Sequence, residues 1–188
     1  MRTGVIRLFR FAGIDVYLHF TWFLVAAIFM TDYVRRFQSP VWGVLEYVAI
    51  FVIVLIHEFG HALACRQVGG VANRIILWPL GGIAFVNPPR RPGAYLWSIA
   101  AGPLVNVALI PILAAASNFV SQSENSFAPT DAYRFILDLR NINLYVSLTT
   151  FNFIHEVSQQ ILSNVSKDFH KDIFLWCLFE SLPICLIY

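Results

Sequence analysis

Long apolar runs separated by short polar breaks set the plan of this chain. Apolar residues are nearly continuous over Tyr47–Cys65, interrupted by His57, Glu58, Gly60 and His61. Breaks fall at "QSP" (38–40), "NPPRRPG" (87–93) and "SQSENSFAPTD" (121–131). The pattern predicts apolar helices at about 17–34, 41–68, 94–118 and 135–154. Pro40 suits the first turn of the second helix, and Gly69–Gly70 suits its end. Gly102–Pro103 and Pro111 predict a kink or irregular turn in the third. The first is marginal in length for a hydrocarbon core of about 30 Å. Residues 71–86, "VANRIILWPLGGIAFV", are rich in β-branched residues and broken by Pro79 and Gly81–Gly82, which suits a strand pair or re-entrant loop. Residues 5–18 mix Arg with apolar side chains and read as an interfacial segment, partly extended near "GIDVYL".

Composition places these helices in a membrane. Of 188 residues, 58% are hydrophobic and 13% charged, against about 45–50% and about 25% in soluble domains. The mean hydropathy is +0.66. The expected fold is therefore an all-α polytopic membrane protein, integral and multi-pass. It would have about four membrane segments and a small β-like re-entrant insertion at 71–86. The net charge of +2 makes no case for nucleic acid, and Arg35–Arg36 and Arg90–Arg91 suit interfacial anchors. Arg on both sides of the first two helices leaves the orientation open. Arg2, Arg7 and Arg10 precede an apolar stretch as in a signal peptide. Asp15 and His19 intervene, however, and "AAIFMTDY" offers no cleavage site, so a retained segment is expected. Cys65, Cys177 and Cys185 have no metal or disulfide spacing and read as apolar fillers.

One stretch conflicts with its surroundings. In "VLIHEFGHALACRQVGG" (54–70), two histidines and a glutamate lie in an apolar helix, where each needs a partner. His57, Glu58 and His61 fit H-E-x-x-H. Residues four apart share a helix face, so His57 and His61 can take adjacent corners of a tetrahedral zinc. Glu58, next to the first ligand, can take a proton from water activated by the metal. Gly60 leaves room for a backbone or a substrate. In a soluble helix, two solvated histidines would be the simpler reading, but "FVIVLI" and "ALAC" on either side offer no solvation.

On these residues the chain resembles the site-2 protease family of intramembrane zinc metalloproteases. "HEFGH" (57–61) resembles the family's zinc helix, "LGGIAFV" (80–86) the segment that follows it, and "AAGPLVN" (100–106) the motif on the next helix. "FAGIDVYLHFTWFL" (11–24) is similar to the family's approach to its first helix. The likeness covers about residues 8–154. It implies Zn2+ held by His57 and His61, Glu58 as catalytic base, and a membrane-embedded protein substrate within the lipid bilayer. It also places Asn106 near the site, as a contact for the substrate backbone or oxyanion; a bond between helices is the equal alternative. For His19 an interfacial hydrogen bond is the expected role.

The resemblance weakens at residue 155. The family supplies the third zinc ligand from an Asp-Gly motif beyond "FN-x-x-P". Here "FNFI" (151–154) is followed by His155, Gln160 stands where the Asp should fall, and no Gly follows Gly102. The composition also changes at 154–155, dividing the chain into a metalloprotease-like core, 1–154, and an atypical tail, 155–188. A frame slip, an altered splice or a truncated gene would each give this pattern. His155, Glu156, Asp168, His170 and Asp172 are capable donors, but the third ligand stays unassigned. The function expected is hydrolysis of a peptide bond in or near a substrate's membrane segment, impaired by loss of that ligand. The alternative is an inactive membrane protein of the same fold that binds partner helices. A transporter is less well supported, because no inverted repeat is visible.

Overall fold

A computed structural model of the chain describes residues 4–27, 37–78, 81–123 and 130–163, with the backbone alone at 123 and over 148–163. The chain opens with a hairpin, β1 (Val5–Phe11) and β2 (Ile14–His19). After a helical run over 21–27 come the long helix α1 (Pro40–Gln67) and a second strand pair, β3 (Val71–Trp78) and β4 (Gly81–Asn87). Two long helices follow, α2 (Pro92–Ser123) and α3 (Asp131–Ser163).

The strands form one sheet in the order β1-β2-β3-β4, with β2 parallel to β3 and the two hairpins antiparallel. The expected strand pair at 71–86 is thus half of a larger sheet, and the fold combines helices with strands instead of being all-α. The extended stretch expected near "GIDVYL" is β2, and Val5–Phe11 pairs with it as the first hairpin. Its signal is alternation: Ile14 and Val16 are fully buried, while Asp15 points outward and accepts a hydrogen bond from Arg7 at 2.6 Å. The helix expected from 17 starts instead at 21, because Tyr17–His19 continue β2; its remainder, 28–36, lies outside the described residues.

The hairpin turn Ala12–Gly13 has φ of +48° and +77°. Two successive left-handed residues match the twist of the flanking strands, and Gly adopts this region freely. Ala12 does so at some cost, but its carbonyl accepts a hydrogen bond from Arg66 in the last turn of α1. The buried face of the sheet (Ile14, Val16, Ile75, Leu77) packs on Val54, Ala62 and Cys65 of α1.

Helix α1 begins with Pro40 in its first turn, as expected. Ser39 makes no side-chain cap. Instead the backbone N–H groups of Gln38 and Ser39 each donate to the Asp131 carboxylate at 3.0 Å, tying the starts of α1 and α3 together. At the other end Gly69, at φ +86°, and Gly70 donate to the carbonyls of Arg66 and Cys65.

The burial of α1 explains its polar residues. Val41, Val44, Val48, Val52 and Ile56 are exposed, whereas Glu46, His57, Glu58 and His61 are buried. An apolar outside and a polar inside suit a helix in lipid. Helices α1 and α2, of 28 and 32 residues, are long and apolar enough to cross a bilayer. They are two such helices among the described residues, where the sequence predicts about four segments. Helix α2 continues through Pro103 and Pro111, and the backbone of α3 continues across 154–155.

Candidate active site

His57, Glu58 and His61 lie on the buried face of α1, each 7% exposed or less. The two Nε2 atoms are 3.0 Å apart and the rings stand at 78° to one another. Two imidazoles on a tetrahedral zinc, with Zn–N near 2.0–2.1 Å, would hold these atoms about 3.3 Å apart. The spacing therefore needs only a small adjustment to seat the ion.

Helix α2 holds His61 in place. Its Nδ1 lies 2.8 Å from the Ser98 carbonyl oxygen, which can only accept, so Nδ1 carries the proton. That leaves the lone pair on Nε2, facing His57, and the backbone bond fixes both tautomer and ring orientation. The Asn106 side chain, 1% exposed, lies beside the His57 ring. The Asn106 backbone carbonyl accepts a bond from Asn143 Nδ2 at 2.7 Å, linking α2 to α3.

Three glycines let these parts approach. A Cβ on Gly60 would lie 2.8 Å from the Ala101 carbonyl oxygen and 3.0 Å from Gly102 Cα, so α2 occupies the room left at Gly60. A Cβ on Gly102 would overlap the His61 ring, at 2.7 Å from its Cδ2. A Cβ on Gly82 would lie 2.6 Å from Glu58 Cδ and 2.7 Å from Oε1. The glycines of "LGGIAFV" and "AAGPLVN" are thus surfaces against which the base and a histidine rest.

Nothing described completes the ligand set: among the described residues no three His, Cys, Asp or Glu side chains are grouped to hold a metal ion. His155 and Glu156 lie on α3, where the backbone alone is described, and Asp168, His170 and Asp172 lie outside the described residues. His19 is occupied elsewhere, bonded to the Thr21 hydroxyl at 2.7 Å and stacked on Trp78. Cys65 is a buried free thiol, consistent with a filler; Cys177 and Cys185 lie outside the described residues.

Sequence reasoning missed Asn143, Glu46 and the role of the Ser98 carbonyl. Asn143 and Glu46 are fully buried, and polar residues in apolar runs are a usable signal. A backbone acceptor has no such signature.

A zinc metalloprotease of Methanocaldococcus jannaschii is 32% identical over 122 residues, covering 65% of this chain and 35% of that protein. The chain thus spans about a third of that relative. The structure of a site-2 protease from the same organism superposes with a TM-score of 0.57 at 28% identity, covering 76% of this chain and 63% of the other. Residues 46–182 match the sequence model of peptidase family M50, most of the chain, and the chain belongs to that family.

Proposed function

We propose that this chain is the core of an intramembrane zinc metalloprotease. His57 and His61 would hold the ion, and Glu58 would serve as general base. The observation that carries this reading is the convergence of two Nε2 atoms at 3.0 Å on a buried helix face beside a carboxylate. Both the zinc metalloprotease and the site-2 protease it resembles support it.

When bound, zinc supplies Lewis acidity, making water nucleophilic near neutral pH and polarising the scissile carbonyl. The chain's own groups do the rest. The Ser98 carbonyl keeps the His61 proton on Nδ1, so Nε2 stays available. Glu58 Oε1, resting on Gly82, takes the proton of the attacking water and returns it to the leaving amine. Strand β4 forms one edge of the sheet and carries Gly82, so an extended peptide added there would run past Glu58. The substrate on this reading is a membrane-embedded protein, and the chain is integral and multi-pass, with α1 and α2 among its spans.

Gln160, standing where the family has its Asp ligand, favours weak activity, since two imidazoles hold zinc poorly. The same observation supports the second reading, an inactive protein of this fold that binds partner helices. Reconstitution with a substrate carrying one membrane segment separates them. Cleavage by the wild type, abolished in Glu58→Gln, supports the protease. Cleavage unchanged in Glu58→Gln removes Glu58 from its role, and no cleavage by either favours the inactive protein.

A further inference from the structure

We propose that Asn143 is a positioning residue, which sets the geometry of His57 and His61 by clamping α2 from α3. This rests on the metal-site reading above.

One short part of α2 makes contact with both histidines. The Ser98 carbonyl bonds His61 Nδ1, Gly102 backs the His61 ring, and Asn106 faces His57. The two rings therefore depend on how residues 98–106 are held. That part of α2 is intrinsically weak. Pro103 and Pro111 lie inside the helix and carry no N–H, so the carbonyls of Ile99 and Val107 lack their usual donors four residues on. A helix missing two internal bonds within three turns bends more easily.

Asn143 supplies a tie from outside. It is fully buried, and its Nδ2 donates to the Asn106 carbonyl at 2.7 Å, between the two prolines. The Asn106 carbonyl also faces its regular helical donor, the N–H of Ile110. The bond from Asn143 is thus additional, and its loss orphans no backbone group of α2. Meanwhile, among the described residues, buried Asn143 Oδ1 has no hydrogen-bond partner. A buried amide with an unsatisfied acceptor is a poor choice for stability alone, and a leucine of similar size would avoid that penalty. A residue that disfavours the fold while fixing the helix behind two metal-binding imidazoles is explained by the position it enforces.

The two roles separate in experiment. In the full chain in detergent, zinc affinity is measured by chelator competition, ligand geometry by the visible spectrum of the cobalt-substituted protein, and fold stability by thermal unfolding without metal. Wild type is compared with Asn143→Leu, Asn143→Asp and His57→Ala. For Asn143→Leu we expect zinc affinity to fall about tenfold, the size seen when groups supporting metal ligands are removed. The cobalt bands should shift, and the unfolding temperature should stay level or rise. Asn143→Asp, protonated when buried, keeps a donor and should recover most of the affinity and the spectrum. An unchanged affinity and spectrum in Asn143→Leu overturns the proposal, as does its failure to fold or a lowered unfolding temperature with no rescue by Asp. If His57→Ala loses zinc while Asn143→Leu does not, the clamp alone is wrong. If His57→Ala keeps zinc, the metal-site reading and the clamp fall together.

Discussion

Gly82 rests directly against Glu58: a Cβ there would lie 2.7 Å from the carboxylate Oε1. The strand thus sets where the base can be. Gly82→Ala should push Glu58 off its position without touching either histidine. Displacements near 1 Å cost roughly 100-fold in rate. Cleavage should therefore fall strongly while zinc content stays at the wild-type level. Parallel loss of zinc would mean that the strand supports the metal site too.

Gly102 makes the opposite prediction. A methyl there would overlap the His61 ring, a rigid imidazole already bonded to the Ser98 carbonyl. Gly102→Ala should lower zinc affinity by roughly tenfold or more. Affinity within twofold of wild type, measured by chelator competition, would show that the ring moves aside freely.

The metal motif was legible because four-residue spacing on a helix is a local property. The strands at 71–86 were legible for a similar reason, β-branched residues bounded by Gly81–Gly82. The first hairpin was legible only in its second strand, where "GIDVYL" reads as extended. Its mixture of Arg with apolar residues also suits a membrane interface, and the apolar run from Tyr17 concealed a helix start at Thr21. Contacts across distant elements were hidden altogether. Neither the Ser98 carbonyl on His61 nor Gly82 on Glu58 follows from any local pattern, since both depend on how α2 and β4 pack against α1.

Asp131 tests the frame apart from the chemistry. Its carboxylate accepts two backbone bonds from Gln38 and Ser39 at 3.0 Å each, and these stand in for a side-chain cap on α1. Asp131→Ala should cost about 1–2 kcal/mol of stability. Thermal unfolding in detergent checks this, with zinc content expected to stay the same.

The tail bears on the third ligand. If residues 155–188 contribute none, deleting them should change zinc retention and cleavage little. Placing a family-like Pro and Asp-Gly segment after Ile154 should raise both. Robust proteolysis by the unmodified chain, lost in His155→Ala, Glu156→Ala or Asp168→Ala, would show that the tail supplies the ligand by another route.

The central claim is that His57 and His61 hold a zinc ion beside a base that is not itself a ligand. Metal analysis of the purified full chain tests it most directly, comparing wild type with His57→Ala, His61→Ala and Glu58→Gln. The account predicts zinc in wild type and in Glu58→Gln, and loss from both histidine variants. Equal zinc in wild type and the histidine variants would contradict it.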